Sequence, residues 1–576
     1  MNILGIYGSF NWEANTSYDE NGSISWLHDS GASLIINGNH VCSISEERLS
    51  RIKYDGNFPK LSIDYCLSEG NLHPENIDLI CITSMCLDIF YEKLYNNEIH
   101  KKINEIFPNA KIKIVSHHLS HAAAAIFTCD FNEGTFLILD GAGSKIYDPY
   151  KNNEITTETN SIGYFNKYEN VLRIHPGYHE VNDFGTYYRG LSQIIYERKT
   201  HRKLWDYEEN IRESLSGKIM GLSAYGEYQK HDWKDYSVSL DYELPFIKFK
   251  SERGEKNLFN DTYSFKNPED MSSILQKNFE SALLDYIIAL KNQTYLTDNV
   301  CFSGGCFLNV LANTSIKKLN LFKNIHIPPC TNDSGLHFGA ACYGAFLNKQ
   351  KIKLPENIAL LGKKYQDAEI LQELKNHQVK YQYFNSFDDL CDDVASYLHD
   401  NKIIGWFQNR SEFGPRALGS RSLLMNPSIK ENKDIMNTRV KHREYWRPFA
   451  GIILEEDFHD YFNENFTSDY MLYSFSVKES KISELGAITH VDNTCRVQTV
   501  NKQLNPEVAI LLKKYKKISG IPVLLNTSFN DNGDPIVETP KDAIMSFLKM
   551  DLDYLIIGNY IVEKNISKKN KITVIY

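Results

Sequence analysis

With 576 residues, 73 acidic against 63 basic side chains and a formal net charge of −10, the chain has no global basic field to gather nucleic acid or an anionic membrane. At roughly 100 to 200 residues per domain its length exceeds a single core, so at least two domains are expected. Eleven cysteines without any C-x-x-C pair point away from a disulfide framework or a zinc ribbon, and no apolar run of about 18 residues occurs, so a soluble, cytoplasmic protein is expected.

In chain order, "NILGIYG", "GASLIING" and "HVCSISEE" alternate apolar strands with turns, and Asn37-Gly38 is a strong hairpin signal. They predict a β-meander opening an α/β domain, with the polar stretch 9–27 as a surface loop. Beyond residue 60, helical segments alternate with the strands "NIDLICITS", "KIKIVS" and "TFLILDGAGS", which favours layers of sheet and helix. "DFGTYYRGLSQIIYE" carries a helical signal within an otherwise hard-to-parse stretch. From residue 274 a long helical run leads into "NVCFSGGCFLNVLANTSI", then "NIHIPPCTNDSGLHFGAACYGAF", so strand, turn or loop, helix occurs twice. The segment 350–366 reads as a junction, after which "KIIGWFQ", "GIPVLLNTSF" and "YLIIGNYIV" supply strands for a second α/β unit.

Several of these segments carry residues suited to chemistry. In "SHHLSHAAAAIF", His117 and His121 share one helical face while His118 points about a hundred degrees away, the spacing of two ligands on one metal. Helix-start histidines that merely cap are the bland alternative. Asp140 in "LILDGAGS" and Asp333 in "TNDSG" stand where a strand end or helix start suits a metal or phosphate. Two histidines with carboxylates suit Fe(II) best, with zinc and manganese also compatible. Gly304 and Gly305 let a nucleotide approach the backbone, and Lys218 in "SGKIMGLSAYG" suits a phosphate. Arg416, Arg421, Lys441, Arg443, Arg447 and Arg496 lie in segments otherwise rich in aromatic, glycine and proline residues. Such a cluster would grip a small phosphorylated substrate, unless its members pair with the surplus carboxylates. Asn526 and Ser528, at a strand end, can orient a planar amide-like group.

Taken together, "HDSGASLI", "SEERLSRIKYDGNFP", "SHHLSHAAAAIF", "LDGAG", "GKIMGLSAYG", "FSGGCFLN", "NDSGLHFGAA", "FGPRALGSRS", "REYWRPFAG", "HVDNTCRVQTV" and "LNTSFNDNGDPIVETP" run in one order over almost the whole chain. The chain resembles the O-carbamoyltransferases that decorate nodulation factors and antibiotics of the tobramycin, cephamycin and novobiocin type. The resemblance implies an N-terminal duplicated actin/Hsp70-like domain, similar to the tRNA threonylcarbamoyl-transfer protein, over 1–355. It implies a C-terminal YrdC/Sua-like α/β domain over 356–576. In such enzymes the C-terminal domain takes carbamoyl phosphate and ATP with Mg(II) to carbamoyl-adenylate, and the N-terminal domain passes the carbamoyl group to an acceptor hydroxyl.

Residue by residue, the resemblance implies that His117, His121, Asp140 and Asp333 ligate Fe(II) or another divalent metal. Lys218, Gly304, Gly305 and Asn309 would line the nucleotide site, and Arg416, Lys441, Arg447, Arg496, Asn526 and Ser528 would hold carbamoyl phosphate. His28, with Asp29 second, is the candidate general base for the acceptor hydroxyl of a small natural product or sugar. Two departures stand out: the loop at 9–27 is long, and "DNGDP" at 531–535 replaces the more basic or neutral turn expected there. The alternatives are a protein or amine acceptor, or a catalytically silent ATP-binding regulator of the same fold. The hydrogenase-maturation carbamoyltransferase is disfavoured because its zinc motifs and acylphosphatase-like domain are missing, and a tRNA-modifying role leaves the C-terminal unit unexplained. Oligomeric state stays open, a homodimer included.

Overall fold

The computed structural model describes residues 1–9, 28–83, 95–148, 154–178, 184–203, 215–228, 236–239, 246–249 and 267–564. The anticipated surface loop therefore lies, from residue 10 to 27, outside the described residues. The first half of the N-terminal region comprises β1 (Asn2–Tyr7), β2 (Gly31–Ile36), β3 (Asn39–Ser45), α1 (Glu46–Ser50), α2 (Lys60–Glu69), β4 (Leu79–Thr83), α3 (Tyr95–Ile106), β5 (Lys111–Ile114) and α4 (His117–Thr128). Its sheet runs β3-β2-β1-β4-β5, with the first three strands antiparallel and β4 and β5 parallel to β1. The β2–β3 hairpin turns on Asn37 (φ 50°) and Gly38 (φ 81°), both left-handed as its sequence signals.

The second half comprises β6 (Glu133–Leu139), β7 (Lys145–Asp148), β8 (Glu154–Asn166), β9 (Val171–Tyr178), α5 (Phe184–Thr200), α6 (Leu215–Leu222), the antiparallel pair β10 (Tyr236–Ser239) and β11 (Phe246–Phe249), α7 (Pro268–Asn292), β12 (Asn299–Ser303), α8 (Val310–Lys318), β13 (Asn324–His326) and α9 (Leu336–Leu347). Its sheet has six strands: β9-β8-β6-β12-β13 repeats the same alternation of directions, and β7 is added antiparallel to the first residues of β8. The repetition glimpsed as two strand–turn–helix segments thus extends to five strands of each sheet, the duplicated actin/Hsp70-like layout.

The helix that ends each half crosses to the other. Helix α4 lies on β6, β8 and β12, whereas α9 lies on β1, β2 and β4. The two helices also pack along one another, which explains the buried small residues Ala122 to Ala125. A Cβ on Gly339 would fall 1.9 Å from the Ser120 carbonyl oxygen, and one on Gly5 would fall 2.0 Å from that of His337. Close backbone approach, rather than turn formation, therefore requires these glycines.

The C-terminal region contains α10 (Asp367–Asn376), β14 (Lys380–Tyr383), α11 (Phe387–His399), β15 (Ile404–Phe407), β16 (Arg421–Met425), β17 (Ala450–Leu454), β18 (Ser474–Ser476), β19 (Thr494–Val500), α12 (Pro506–Ser519), β20 (Val523–Ser528), α13 (Pro540–Lys549), β21 (Tyr554–Ile557) and β22 (Tyr560–Glu563). They build a mixed nine-stranded sheet ordered β14-β22-β21-β15-β16-β20-β17-β19-β18. Successive strand residues enter cores on opposite faces: Leu423, Ile453, Leu525 and Leu555 on one, Leu424, Ile452, Leu524 and Ile556 on the other. Burial on both faces is why these strands read as continuous apolar runs.

Side chains of the N-terminal region stitch the two sheets' ends together. Arg51 donates to the Pro535 and Ile536 carbonyls at 2.7 Å each, and Arg48 to that of Gly414 at 3.2 Å. On α8, Asn313 donates to the Leu472 carbonyl and Thr314 to that of Ser474, both at 3.0 Å. No described helix is long and apolar enough to cross a membrane.

Candidate active site

Ser116 caps α4, its hydroxyl accepting from the Leu119 amide at 3.2 Å, and so fixes the first helical turn on which His117 and His121 stand. Asp140 ends β6, and Asp333 opens the turn that leads into α9. The exchange of helices thus brings four residues from both halves to one buried point, their ligand atoms all within 4.8 Å of one another. Both imidazole Nε2 atoms face the two carboxylates: His117 at 3.0 Å from Asp140 and 3.5 Å from Asp333, His121 at 3.2 and 3.4 Å. His118 turns away to Ser161 Oγ at 2.8 Å, as the helical spacing requires.

Burial opposes charge on His117, but Asp333 and Asp140 overcome it and hold its pKa up at about 10. His121 is raised against the same burial by hydrogen bonds to Asp140 and Asp333. Asp140 and Asp333 are correspondingly held below the usual carboxylate range, despite burial, by these imidazoles. The outer Nδ1 atoms of both histidines have no hydrogen-bond partner among the described residues. The Nε2 atoms and carboxylate oxygens converge at the spacing of donors sharing one divalent ion, and their chemistry fits the Fe(II), Mn(II) or Zn(II) type.

Neighbouring groups hold this cluster. Tyr7 at the end of β1 donates to Asp333 Oδ2 at 2.8 Å, a contact no motif in the sequence announces. Gly305 donates its amide to Asp140 Oδ1 at 3.2 Å, and Gly304 adopts φ 102° where a Cβ would strike the Leu139 carbonyl. The glycine turn is therefore coupled directly to the candidate metal site. Asn309, by contrast, has its amide occupied within the protein: it caps α8 at Ala312 and exchanges hydrogen bonds with Gln276.

His28 and Asp29 stand beside the cluster. Asp29, at φ 61°, places Oδ2 3.1 Å from His28 Nδ1 and accepts from Asn332 at 2.9 Å, the residue before Asp333. Tyr54, also left-handed at φ 56°, packs edge-on to His28 with ring centroids 6.5 Å apart. Its charge environment extends to Arg416, so the "RIKYDG" segment bridges towards the basic segments of the C-terminal region.

There Arg416, Lys441, Arg447 and Arg496 gather around the ends of β19 and β20 with Asn526 and Ser528. Burial, with Arg447 nearby, lowers Arg416 to about 10, although Tyr54 acts the other way. Arg496 falls well below its ordinary value through burial and then through Arg416 and Arg447. Lys441 is lowered by burial and by Arg443 and Arg447, and its ammonium donates to the Ser528 carbonyl and to Asn530 Oδ1 at 2.9 Å each. The Nε atoms of Arg416 and Arg496 and the side-chain Oδ1 of Asn526 are buried without partners among the described residues. Arg447 remains 28 % exposed, enough to meet an arriving anion.

Not every arginine of these motifs belongs to the cluster. Arg421 is fully buried, stacked 3.6 Å from the Phe407 ring centre and donating to the Gln408 carbonyl at 2.7 Å. Arg443 lies over Phe449 and donates to Asn437 at 2.7 Å. Arg443 is thus engaged by neighbouring protein groups, whereas Arg421, stacked on Phe407, keeps Nε and Nη2 buried without partners among the described residues. Lys218 pairs with Glu444 of the C-terminal region at 3.0 Å, so its carboxylate partner lies across the seam.

A metal-competent cluster in a duplicated fold, together with a basic site in a second α/β unit, agrees with comparisons to known proteins. Two family models match: carbamoyltransferase N-terminus over residues 22–110 and 88–342, and carbamoyltransferase C-terminus over 395–564. Nodulation protein NolNO of Sinorhizobium fredii is 30 % identical, with 98 % of this chain and 83 % of that protein covered. Nodulation protein NolO of Bradyrhizobium diazoefficiens is 34 % identical over 60 % of this chain and 65 % of that one. An uncharacterised Synechocystis protein, sll1178, is 30 % identical, covering 94 % and 96 %. The solved structure of T. kodakarensis HypF is a remote likeness at 14 % identity and TM-score 0.35, covering 61 % of this chain and 48 % of that one. With both of the family's parts matched in order across most of its length, the chain belongs to the carbamoyltransferase family and is a carbamoyltransferase.

Proposed function

We propose that the enzyme converts carbamoyl phosphate and ATP, as its Mg(II) complex, to carbamoyl-adenylate and then carbamoylates a hydroxyl of a small natural product or sugar. The observation that carries the first step is the cluster of Arg416, Arg447 and Arg496 beside Lys441, in which the buried guanidinium Nε atoms of Arg416 and Arg496 lack partners among the described residues. A phosphate supplies the missing acceptors, and the side-chain Oδ1 of Asn526 is an acceptor for the carbamoyl NH₂. Water cleaves the bound carbamoyl phosphate to inorganic phosphate and carbamate, and a carbamate oxygen then attacks the α-phosphorus of ATP and expels pyrophosphate. The units that divide this work are taken as 1–355 and 356–576.

For the second step the acceptor oxygen attacks the carbamoyl carbon, its proton passes to a base, and AMP leaves. His28 is the base, oriented by Asp29, which Asn332 fixes in turn. His117, His121, Asp140 and Asp333 would hold a divalent metal, Fe(II) by preference, which when bound neutralises charge on the leaving nucleotide phosphate. Gly304 and Gly305 would line the nucleotide site from the turn packed against Leu139 and Asp140, with Asn309 fixing the helix that follows. Enclosure of both sites in protein keeps water from the labile carbamoyl group.

The test needs no acceptor. Purified protein, ATP, Mg²⁺, Fe²⁺ and carbamoyl phosphate should yield carbamoyl-adenylate and pyrophosphate by mass spectrometry, and Arg447→Ala should abolish both. ATP binding without either product would instead favour a silent nucleotide-binding regulator. Once an acceptor is found, His28→Ala should abolish transfer and spare adenylate formation; equal loss of both would remove His28 from the base role.

A further inference from the structure

Glu444 lies beside Arg447 of the basic cluster, and most of what holds it comes from the other unit. Glu444 lies in the turn that its own carbonyl closes with the Arg447 amide at 3.2 Å. Its Oε1 accepts from the Tyr196 hydroxyl at 2.6 Å and pairs with the Lys218 ammonium at 3.0 Å. Tyr196 stands on α5 and Lys218 on α6, both in the N-terminal region, and the ammonium sits 4.9 Å above the Tyr196 ring and 3.4 Å from its hydroxyl. The other oxygen, Oε2, makes no hydrogen bond among the described residues and faces Arg447 Nη1 at 3.7 Å.

Removing a lysine and a glutamate from water at a seam is costly, and apolar residues of similar size would dock the two units at least as well. The pair also sits in the field of the cluster: burial pulls Lys218 down, and Arg447 and Arg443 add to this against Glu444. Glu444 is lowered as well, to about 2, because Lys218 and Arg447 outweigh its burial.

We propose that Glu444 is a positioning residue for the carbamoyl phosphate site, held by Lys218 and Tyr196 of the other unit so that it steers Arg447 without neutralising it. With Oε1 shared between a lysine and a tyrosine, Glu444 draws Arg447 by one distant oxygen only. Without Lys218, the whole carboxylate charge falls on Arg447 and competes with an arriving anion. The proposal rests on the two-step reading for the identity of the anion, and it makes the site competent only while the two units are docked.

The test is a double-mutant cycle read on binding, with carbamoyl phosphate as titrant, inorganic phosphate as second probe and calorimetry as readout. Lys218→Met should raise the carbamoyl phosphate Kd about tenfold, but less than twofold in a Glu444→Gln background, because the freed carboxylate is then absent. Tyr196→Phe, which removes one hydroxyl, should raise Kd severalfold at unchanged melting temperature, and so reports even if Lys218→Met misfolds. An unchanged Kd in Tyr196→Phe and Lys218→Met, or a Lys218 effect that persists in Glu444→Gln, overturns the proposal. Binding needs no ATP, so a wild-type protein that binds carbamoyl phosphate yet makes no adenylate would count against the two-step reading alone.

Discussion

Arg421 and Arg496 occupy similar sequence surroundings and are both buried, yet they face opposite tests. Arg421 donates to the backbone carbonyls of Gln408, Asn409 and Ser420 and is attracted by Glu538 and Glu412, so Arg421→Leu leaves buried carboxylates uncompensated. Destabilisation of about 3 kcal/mol or more is expected, visible as a lower urea midpoint. Arg496 has no such carboxylate and is repelled by Arg416 and Arg447. Arg496→Met should leave the melting temperature unchanged or raised while abolishing carbamoyl phosphate binding, and phosphate should raise the melting temperature of the wild type but not of the variant. Sequence alone does not separate these roles, because "FGPRALGSRS" and "DNTCRVQTV" show only the residue type; what decides is that Arg421 opens β16 against Phe407. His117 and His121 were legible because helical spacing is a property of local sequence. Tyr7 was not, since it reaches Asp333 only through the docking of β1 under α9.

At the level of elements, the strands and the Asn37-Gly38 turn were legible because alternation and left-handed residues are local signals. The alanine run of α4 announced a close neighbour without saying which. That neighbour is α9, and the contact narrows to Gly339 against the Ser120 carbonyl. Gly339→Ala should therefore push α4 from α9 at a cost of roughly 1–3 kcal/mol. Because His117 and His121 stand on one of these helices and Asp333 at the start of the other, metal content after purification should fall together with the melting temperature. Unchanged metal content in a destabilised variant would separate the site from the helix pair. The exchange of helices between halves had no sequence signature, since it depends on how two apolar faces of similar composition are paired.

Across the whole molecule, neutral imidazoles are built into the packing. His337 is fully buried and bonded to Ser33 at 2.7 Å, and burial, with His40 nearby, holds its pKa at about 3. His40, bonded to Ser43 at 2.8 Å, is held at about 3 by burial and Arg410. Between about 6.5 and 3 the unfolded chain binds protons at these positions that the native protein refuses, so their contribution is complete above pH 6.5 and is lost as pH falls. The urea midpoint should drop from pH 7 to pH 5, and His337→Gln should flatten that slope. That the strands beyond residue 400 build a further sheet was legible from their apolar runs, whereas the seam was not, because Arg48, Arg51 and Lys218 find their partners hundreds of positions away. The crossing of α4 and α9 also has a temporal side. When Thr128 leaves the ribosome, the strands on which α4 rests are incomplete, and α9 is not made until Leu336 has been added. At the usual pace of translation that is a wait of roughly 10 to 40 seconds with an alanine-lined face uncovered. The nascent chain is thus at greatest risk of capture by chaperones or by its own kind in that interval, before Asp333 can join His117, His121 and Asp140 at the candidate metal site.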